Sequence, residues 1–325
     1  MSGLGGSRSR LRRLALAPDG LPRPEAPFGR GPLAAHLLAR VIDGAAWGGS
    51  RAPARIAHAL AAAGGTAEWA VRPGKRARLA ANLAHAVGGD PSDGRVRTLV
   101  RREVLNEARR SADLLWALGR PAELRATTDF EGLEHIEEAL AHGRGVVLAG
   151  IHLGGWEVAT ALPEVVVPVP TTAIVADDWL AWAIAHARVA VGLHVMYRTE
   201  PAIRAARLLA RGEAVLVLGD DGWGEEPRGY AVRFLDGIAH LPAGIVSLAR
   251  IAGSPIVSFY ALPRGPRRWV VSLDEPVLPP GRAEGKDGER RVLQALADRW
   301  SEVIRRYPEH WSAVYRIRWV EEPDA

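Results

Sequence analysis

Apolar residues in the first third of the chain recur at the spacing of an α-helix. They repeat every four residues from Leu79 to Val87, and a longer series from Val100 to Leu118 alternates with arginines and glutamates. Such a period places the apolar side chains on one face of a helix. A further helix is predicted to begin at Pro32. The pattern therefore predicts a helical part over residues 32–130.

The hydrophobic pattern changes after residue 130. Short apolar runs predict strands at residues 145–150, 171–176, 193–197, 214–218, 231–234, 255–262 and 269–273. Helical patterns predict helices at residues 131–142, in a segment ending at 162, and at 179–191, 201–211, 242–252 and 289–306. This alternation, with short connections, predicts an α/β fold with a mostly parallel central sheet flanked by helices.

The first residues, 1–31, are rich in arginine, proline and glycine, which predicts a flexible basic arm. The chain would then consist of this arm, a helical membrane-proximal part at residues 32–130 and an α/β core at residues 131–325. We expect residues 32–325 to form one continuous domain.

Composition narrows the class of protein. None of the 325 residues is a cysteine, which excludes disulfide scaffolds, thiolate metal sites and cysteine nucleophiles. The longest uncharged runs are about 13 residues, shorter than the roughly 17–25 that a membrane-spanning helix needs. The first residues lack the apolar core of a secretory signal. We therefore expect a soluble or peripherally bound protein of the cytoplasm.

Charge is unevenly distributed along the chain. Residues 1–130 contain 21 basic and 11 acidic side chains, whereas residues 131–325 contain 21 and 26. A basic part of this kind suits a nucleic acid, an anionic membrane surface or an acidic ligand. We expect the membrane surface and no nucleic acid, because the sequence has no known nucleic-acid-binding motif. Trp47, Trp69 and Trp116 belong to this part, either as core residues or at a lipid–water boundary.

The strongest candidate for chemistry is the motif His152-Leu-Gly-Gly-Trp-Glu157, directly after the strand predicted at 145–150. Ligands of open α/β sheets bind at the carboxyl ends of the strands, where this histidine would lie. The two glycines permit a sharp turn and a close approach of the backbone to a substrate. His152 can take a proton from a hydroxyl, and Glu157 could orient it. The alternative is a loop histidine and an unrelated acid at a helix N-terminus.

The segment from Gly143 to Glu157 resembles the core motif of bacterial lysophospholipid-type acyltransferases, in which four residues separate a histidine from an acid. The branch that it resembles contains the late acyltransferases of lipid A synthesis and the phosphatidylinositol mannoside acyltransferases. Further segments resemble that branch in the same order: Arg78–Asn82, the strand ending at Asp220-Asp221, Val232–Asp236 with Leu241–Gly244, and Tyr307–Trp319. The resemblance covers about residues 75–320.

The resemblance implies an O-acyltransferase with an α/β fold docked on a membrane. His152 would be the general base that deprotonates the acceptor hydroxyl, and Glu157 would be the motif acid. Relatives that acylate mannosides carry a second acid, directly after the aromatic strand, which pairs with the histidine. Asp236 replaces it here with a shift of one residue, or else Asp220 or Asp221 takes that part.

The candidates for substrate binding are two acids and three arginines. Asp177 and Arg188 resemble a substrate-contacting acid and arginine of the branch, or are a solvated loop acid and a helix-surface arginine. Arg198 and Arg233 could hold a phosphate, and Asp220 is the fifth candidate. We expect no metal site and no cofactor, since the acyl donor is a substrate.

We therefore expect a peripheral O-acyltransferase on the cytoplasmic face of the cell membrane. Its donor would be an acyl thioester of coenzyme A or of acyl carrier protein. Its acceptor would be a hydroxyl of a glycolipid or phospholipid, such as a phosphatidylinositol mannoside or a lipid A precursor. The alternative is a non-catalytic lipid-binding protein that has kept the acyltransferase fold.

Overall fold

The computed structural model describes residues 32–159, 167–176, 193–221, 229–315 and 317–320. The helices in these ranges are α1 (Pro32–Arg51), α2 (Ala54–Val71), α3 (Pro73–Val87), α4 (Gly94–Gly119), α5 (Pro121–Ala126), α6 (Glu134–Ala141), α7 (Trp156–Ala159), α8 (Ala202–Ala210), α9 (Gly244–Ala252) and α10 (Gly285–Arg306). The strands are β1 (Thr128–Glu131), β2 (Val146–Gly154), β3 (Thr171–Val175), β4 (His194–Tyr197), β5 (Ala214–Leu218), β6 (Gly229–Phe234), β7 (Gly237–Pro242), β8 (Ile256–Gly265), β9 (Arg268–Leu273) and β10 (Arg318–Val320). The predicted arm at 1–31 and helix at 179–191 lie outside the described residues.

Seven strands form the central sheet in the order β1-β9-β8-β2-β5-β3-β4. The strands β8, β2, β5, β3 and β4 are parallel, whereas β9 and β1 run in the opposite direction. The predicted fold class, a mostly parallel sheet flanked by helices, is therefore confirmed. All nine residues of the central strand β2 are buried, because it has a neighbour on each edge and a hydrophobic cluster on each face.

A second sheet is antiparallel and has the order β10-β7-β6. Neither β7 nor β10 is predicted from the sequence, and the same is true of β1 in the central sheet. β7 follows β6 through the two-residue turn Leu235-Asp236, in which Leu235 has a φ of 55°. Only alternate residues of β7 are buried, Ala239 and Leu241, and the strand begins with glycine and ends with proline, which are rare in strands.

The helix α4 is the centre of the helical part and packs against α1, α2 and α3. Its buried stripe includes Val96, Glu103, Arg110 and Ala117, which are seven residues apart. Two of these four positions are charged, so α4 buries an ion pair where the helical period predicts apolar side chains. Trp116 is only 3% exposed, which makes it a core residue and not a membrane-facing one.

One hydrophobic cluster joins the helical part to the sheet. It contains Leu79 and Leu83 of α3, Ile151 of β2 and Trp311, all of them buried. Burying a leucine side chain completely stabilises a fold by about 1.5–3 kcal/mol. The helix α3 is therefore held firmly against the end of the sheet that carries His152.

Candidate active site

His152 lies two residues before the end of β2, at the carboxyl end of the central strand, as the sequence predicts. Gly154 has a φ of 58°, and a Cβ there would lie 1.9 Å from the carbonyl oxygen of Ala261 on β8. A Cβ on Gly155 would lie 2.3 Å from the ring of Trp269. Both positions need glycine because of this turn and this close packing. The chain can then pass directly from β2 into α7.

His152 is bonded to Asp220, which follows the neighbouring parallel strand β5. Its Nδ1 lies 2.7 Å from Oδ1 of Asp220, and its backbone amide donates to both carboxylate oxygens at 3.1 Å. Nε1 of Trp311 donates to Oδ2 of the same carboxylate at 2.9 Å. Because a carboxylate only accepts hydrogen bonds, Nδ1 carries the proton and Nε2 is the nitrogen that can take one.

Asp220 is 1% exposed. Burial disfavours its charged form, but the charge and hydrogen bonds of His152, together with the bond from Trp311, hold the pKa of Asp220 below its usual value. A buried carboxylate that stays ionised stabilises the imidazolium that forms when Nε2 takes a proton.

Asp221, the next residue, is in a different environment. It is 6% exposed, and its Oδ2 has no hydrogen-bond partner among the described residues. Burial raises the pKa of Asp221 to about 7, and the negative charge of Asp220 acts in the same direction. The positive charges of His152 and Arg198 lower this pKa but do not outweigh burial. The two adjacent carboxyl groups therefore differ in charge near neutral pH.

The segment 311–315 covers the histidine. The amide of Ser312 donates to the carbonyl of His152 at 2.7 Å. The ring of Tyr315 lies 3.8 Å from the imidazole ring, and Trp156 meets the imidazole edge-on at 4.9 Å, both measured between ring centroids. These contacts leave His152 only 5% exposed, so its orientation is fixed by packing as well as by hydrogen bonds.

The helix α3 holds that segment in place. Nδ2 of Asn82 donates to the carbonyls of Ala313 at 2.7 Å and Tyr315 at 2.9 Å, and Nε1 of Trp319 donates to Oδ1 of Asn82 at 2.9 Å. The guanidinium of Arg78 donates to another carbonyl of the segment at 3.3 Å. The two stretches of sequence around Asn82 and Trp311 therefore form one structural unit over the histidine.

A family model described as bacterial lipid A biosynthesis acyltransferase matches residues 44–319. The chain belongs to this family. It is therefore an acyltransferase, and the family resemblance of its motifs is confirmed. The chain is also similar to the phosphatidylinositol mannoside acyltransferase of Mycolicibacterium smegmatis (strain ATCC 700084 / mc(2)155), with 28% identity over 267 residues that cover 80% of this chain and 84% of that protein.

In this acyltransferase, Asp236 does not pair with His152 as expected. Its Oδ1 is bonded to Nδ1 of His85 at 2.6 Å, and His85 stacks on Trp319 with 3.6 Å between ring centroids. Asp236 thus ties the turn between β6 and β7 to α3 and β10. Nδ1 and the backbone amide of His152 are both bonded to Asp220. The partner acid is therefore Asp220, one of the two alternatives to Asp236.

Of the five candidates for substrate binding, Asp220, Arg198 and Arg233 lie within the described residues. Both oxygens of Asp220 are bonded within the protein, so its position is that of a partner to His152 and not of a substrate contact. Asp177 and Arg188 lie outside the described residues.

Glu157 and Arg198 lie near the pair. Glu157 is half-buried in α7. The pKa of Tyr315, the residue that covers His152, is raised first by the burial of Tyr315 and second by the charge of Glu157. Arg198 follows β4, and its charge lowers the pKa of Asp221 against burial. The catalytic part of Glu157 and the phosphate binding of Arg198 stay predictions.

Arg233 faces away from the pair. The next residue of β6, Phe234, packs edge-on against Trp311 with 6.0 Å between ring centroids. Adjacent side chains of a strand point to opposite faces, and Arg233 is exposed while Gln294 binds its backbone amide and carbonyl. The structure does not bring it to His152.

The arrangement can move a proton to and from a hydroxyl. Asp220 fixes the tautomer of His152, and Nε2 is then available as a general base. Within the described ranges, no group of three or more His, Asp or Glu side chains is placed to hold a metal ion.

Proposed function

We propose that this acyltransferase moves a long fatty acyl chain from a thioester of coenzyme A or acyl carrier protein to a hydroxyl of a glycolipid or phospholipid. The observation that carries the proposal is the 2.7 Å bond between His152 and the buried Asp220, found in a member of this family. The similarity to a phosphatidylinositol mannoside acyltransferase supports a mannosylated phosphatidylinositol as the first acceptor to test.

In this reaction the acceptor hydroxyl gives its proton to Nε2 of His152 while its oxygen attacks the thioester carbonyl carbon. The new C–O bond produces a tetrahedral intermediate. Its collapse breaks the C–S bond, and the leaving thiolate takes the proton from the imidazolium. Between the two proton transfers, Asp220 stabilises the imidazolium. No acyl-enzyme is needed, because the acceptor itself supplies the nucleophile.

Attachment to a membrane surface is supported by apolar side chains that α1 and α2 leave exposed. In the described residues, no helix combines the length and apolar character that crossing a bilayer requires. The large apolar side chains that these two helices expose include Leu37, Val41, Trp47, Ile56, Leu60, Trp69 and Val71. The guanidinium of Arg51 lies 4.1 Å over the ring of Trp47 and that of Arg76 lies 5.1 Å over the ring of Trp69. A tryptophan beside an arginine suits a boundary between acyl chains and anionic headgroups.

Sedimentation with vesicles tests the attachment. The double change Trp47→Ala and Leu60→Ala should weaken binding to anionic vesicles by about tenfold, because two exposed apolar side chains no longer insert. Leu278→Ala is the matched control, since Leu278 is 58% exposed but lies outside these helices. Binding that is equal for the double variant and the control, or insensitive to salt, contradicts this attachment.

Transfer itself is tested with palmitoyl-CoA and palmitoyl carrier protein as donors and with vesicles carrying a phosphatidylinositol mannoside or a lipid A precursor, the product being measured by mass spectrometry. His152→Ala should lower turnover by about 10²–10⁴-fold, the usual effect of removing a general base. The control His194→Ala changes an exposed histidine of β4 and should stay near wild type. A folded wild-type chain that transfers no acyl group from either donor would leave the lipid-binding alternative.

A further inference from the structure

A cavity with a volume of about 540 Å³ lies beside the active site, and apolar surface lined by several charged and polar side chains forms its wall. It is bounded by α2, α4, the hairpin of β8 and β9, and the turn at residue 310. Its polar lining is mostly basic or nitrogen-bearing: Arg55, His58, Arg109, Arg110, Trp269 and His310. The proposed reaction uses none of these side chains.

Two buried donors on this lining have no partner in the part of the chain that the structure describes. Arg110 is 5% exposed; its Nη2 donates to Ser312 Oγ at 2.7 Å and Glu103 Oε1 at 3.3 Å, but its Nη1 is unpaired. Trp269 is 1% exposed, and its Nε1 is unpaired as well. The six-membered ring of Trp269 packs on Gly155, so Nε1 lies on the opposite edge of the indole. Buried donors are nearly always satisfied, and these two therefore point to a missing acceptor.

The charge on the lining favours an anion. Three arginines line the cavity against one carboxylate, Asp113. That carboxylate is already occupied, because His58 Nε2 lies 2.6 Å from its Oδ1 and the amide of Arg267 donates to its Oδ2 at 3.4 Å. Burial raises the pKa of Glu103 to about 7 against the attraction of Arg110, so the charge of Arg110 is only partly balanced.

We infer that this cavity binds a phosphate group. A guanidinium with unpaired N–H groups matches the oxygens of a phosphate in a two-pronged geometry. Trp269 would add a neutral donor, and the exposed Arg55 and Arg109 would add charge at the mouth.

The position of the cavity connects it to the site. Arg110 bonds to the side chain of Ser312, whose amide bonds to the carbonyl of His152. The phosphate would come from the acyl donor or from the headgroup of the acceptor, and in that respect the inference rests on the proposed function. Arg55 lines the cavity on α2, the helix that also exposes Ile56 and Leu60, so the cavity and part of the proposed membrane contact share one helix.

Binding is measured without turnover, by calorimetry on the purified full chain at low ionic strength. The probes are inorganic phosphate, glycerophosphoinositol and coenzyme A. We expect at least one to bind with a Kd of about 1 mM or below. A response to coenzyme A alone identifies the donor as the source, and a response to glycerophosphoinositol alone identifies the lipid headgroup.

Variants of the lining decide whether such binding belongs to this cavity. Arg55→Gln and Arg109→Gln change exposed side chains, and each should weaken binding about fivefold. Trp269→Phe should have a similar effect while keeping a ring against Gly155. Arg102→Gln, an exposed residue of α4 outside the lining, is the matched control and should change Kd less than twofold.

Two results would overturn the inference: no binding of any probe at about 10 mM, or binding that the lining variants change no more than the control does. Wild-type acyl transfer together with either result would refute the phosphate cavity alone. Phosphate binding that depends on the lining, without acyl transfer, would refute only the proposed reaction.

Discussion

Replacing Asp220 with asparagine separates orientation of the histidine from simple packing. The side chain keeps its size but loses its charge and turns one acceptor into a donor. If the amide oxygen stays beside His152, the amide nitrogen faces Nε1 of Trp311, and one buried donor is left unpaired. If the amide flips, it donates to Nδ1, the imidazole proton moves to Nε2, and the general base is lost.

The expected magnitudes follow from these two arrangements. An unpaired buried donor costs about 1–3 kcal/mol of stability. The same substitution in a Ser-His-Asp triad lowers turnover about 10⁴-fold with the geometry intact. Since Asp220 accepts the ring proton of His152 at 2.7 Å and is 1% exposed, we expect kcat to fall about 10³–10⁴-fold, with little change in KM for the donor.

The assay is steady-state acyl transfer, with circular dichroism and urea unfolding to verify the fold. Asp221→Asn is a close control, because this neighbour is also buried but its free oxygen has no partner in the described residues. It should lower kcat less than about tenfold. The reasoning is refuted if Asp220→Asn stays within tenfold of wild type, or if Asp221→Asn falls as far as Asp220→Asn.

Three further expectations concern the surroundings of the pair. Trp311→Phe removes one donor to Asp220 and should lower kcat about tenfold at constant donor KM; a change in KM alone would assign Trp311 to binding. Gly154→Ala should destabilise the fold by about 2–4 kcal/mol in urea unfolding, because its Cβ would meet the carbonyl of Ala261; a loss below about 0.5 kcal/mol would contradict this. The pKa of Asp221 is raised to about 7, so the folded state binds more protons than the unfolded state between about pH 4 and 7, and its stability falls as pH rises through that window. As pH rises from 4 to 8, the free energy of unfolding of Asp221→Asn should therefore increase by up to about 4 kcal/mol relative to that of the wild type. Stability curves that run parallel against pH for the two proteins would contradict this.

The sequence predicts the α/β core well because its strands are continuous apolar runs. The run predicted at 145–150 is the start of β2, and 214–218 is β5 with the same bounds. The strands β1 and β10 are missed because they have only four and three residues. β7 is missed because it begins with glycine and ends with proline. β7 is stabilised by pairing with β6 on one edge and β10 on the other, and Trp319 of β10 packs against His85 and Phe234. These are tertiary contacts that no local pattern contains.

The candidate site was predicted only in part. His152 follows from its place after an apolar strand, but the choice among Asp220, Asp221 and Asp236 depends on which strands are neighbours. β5 pairs directly with β2, whereas Asp236 belongs to the other sheet. The sequence does contain a sign of the buried charges beside the cavity, since Glu103 and Arg110 occupy the seven-residue stripe of α4 that is otherwise apolar. The partners of these two side chains can be identified only from the fold.

The parts that hold the histidine are widely separated in the chain, and this has a consequence for biosynthesis. Asp220 follows His152 by 68 residues, and Asn82 bonds to Ala313 across 231 residues. At roughly 5–20 residues per second, about 8–32 seconds of translation separate the motif from the segment that covers it. A nascent chain can therefore display the exposed apolar side chains of α1 and α2 before its catalytic histidine is held in place. The membrane attachment proposed above can thus precede completion of the active site.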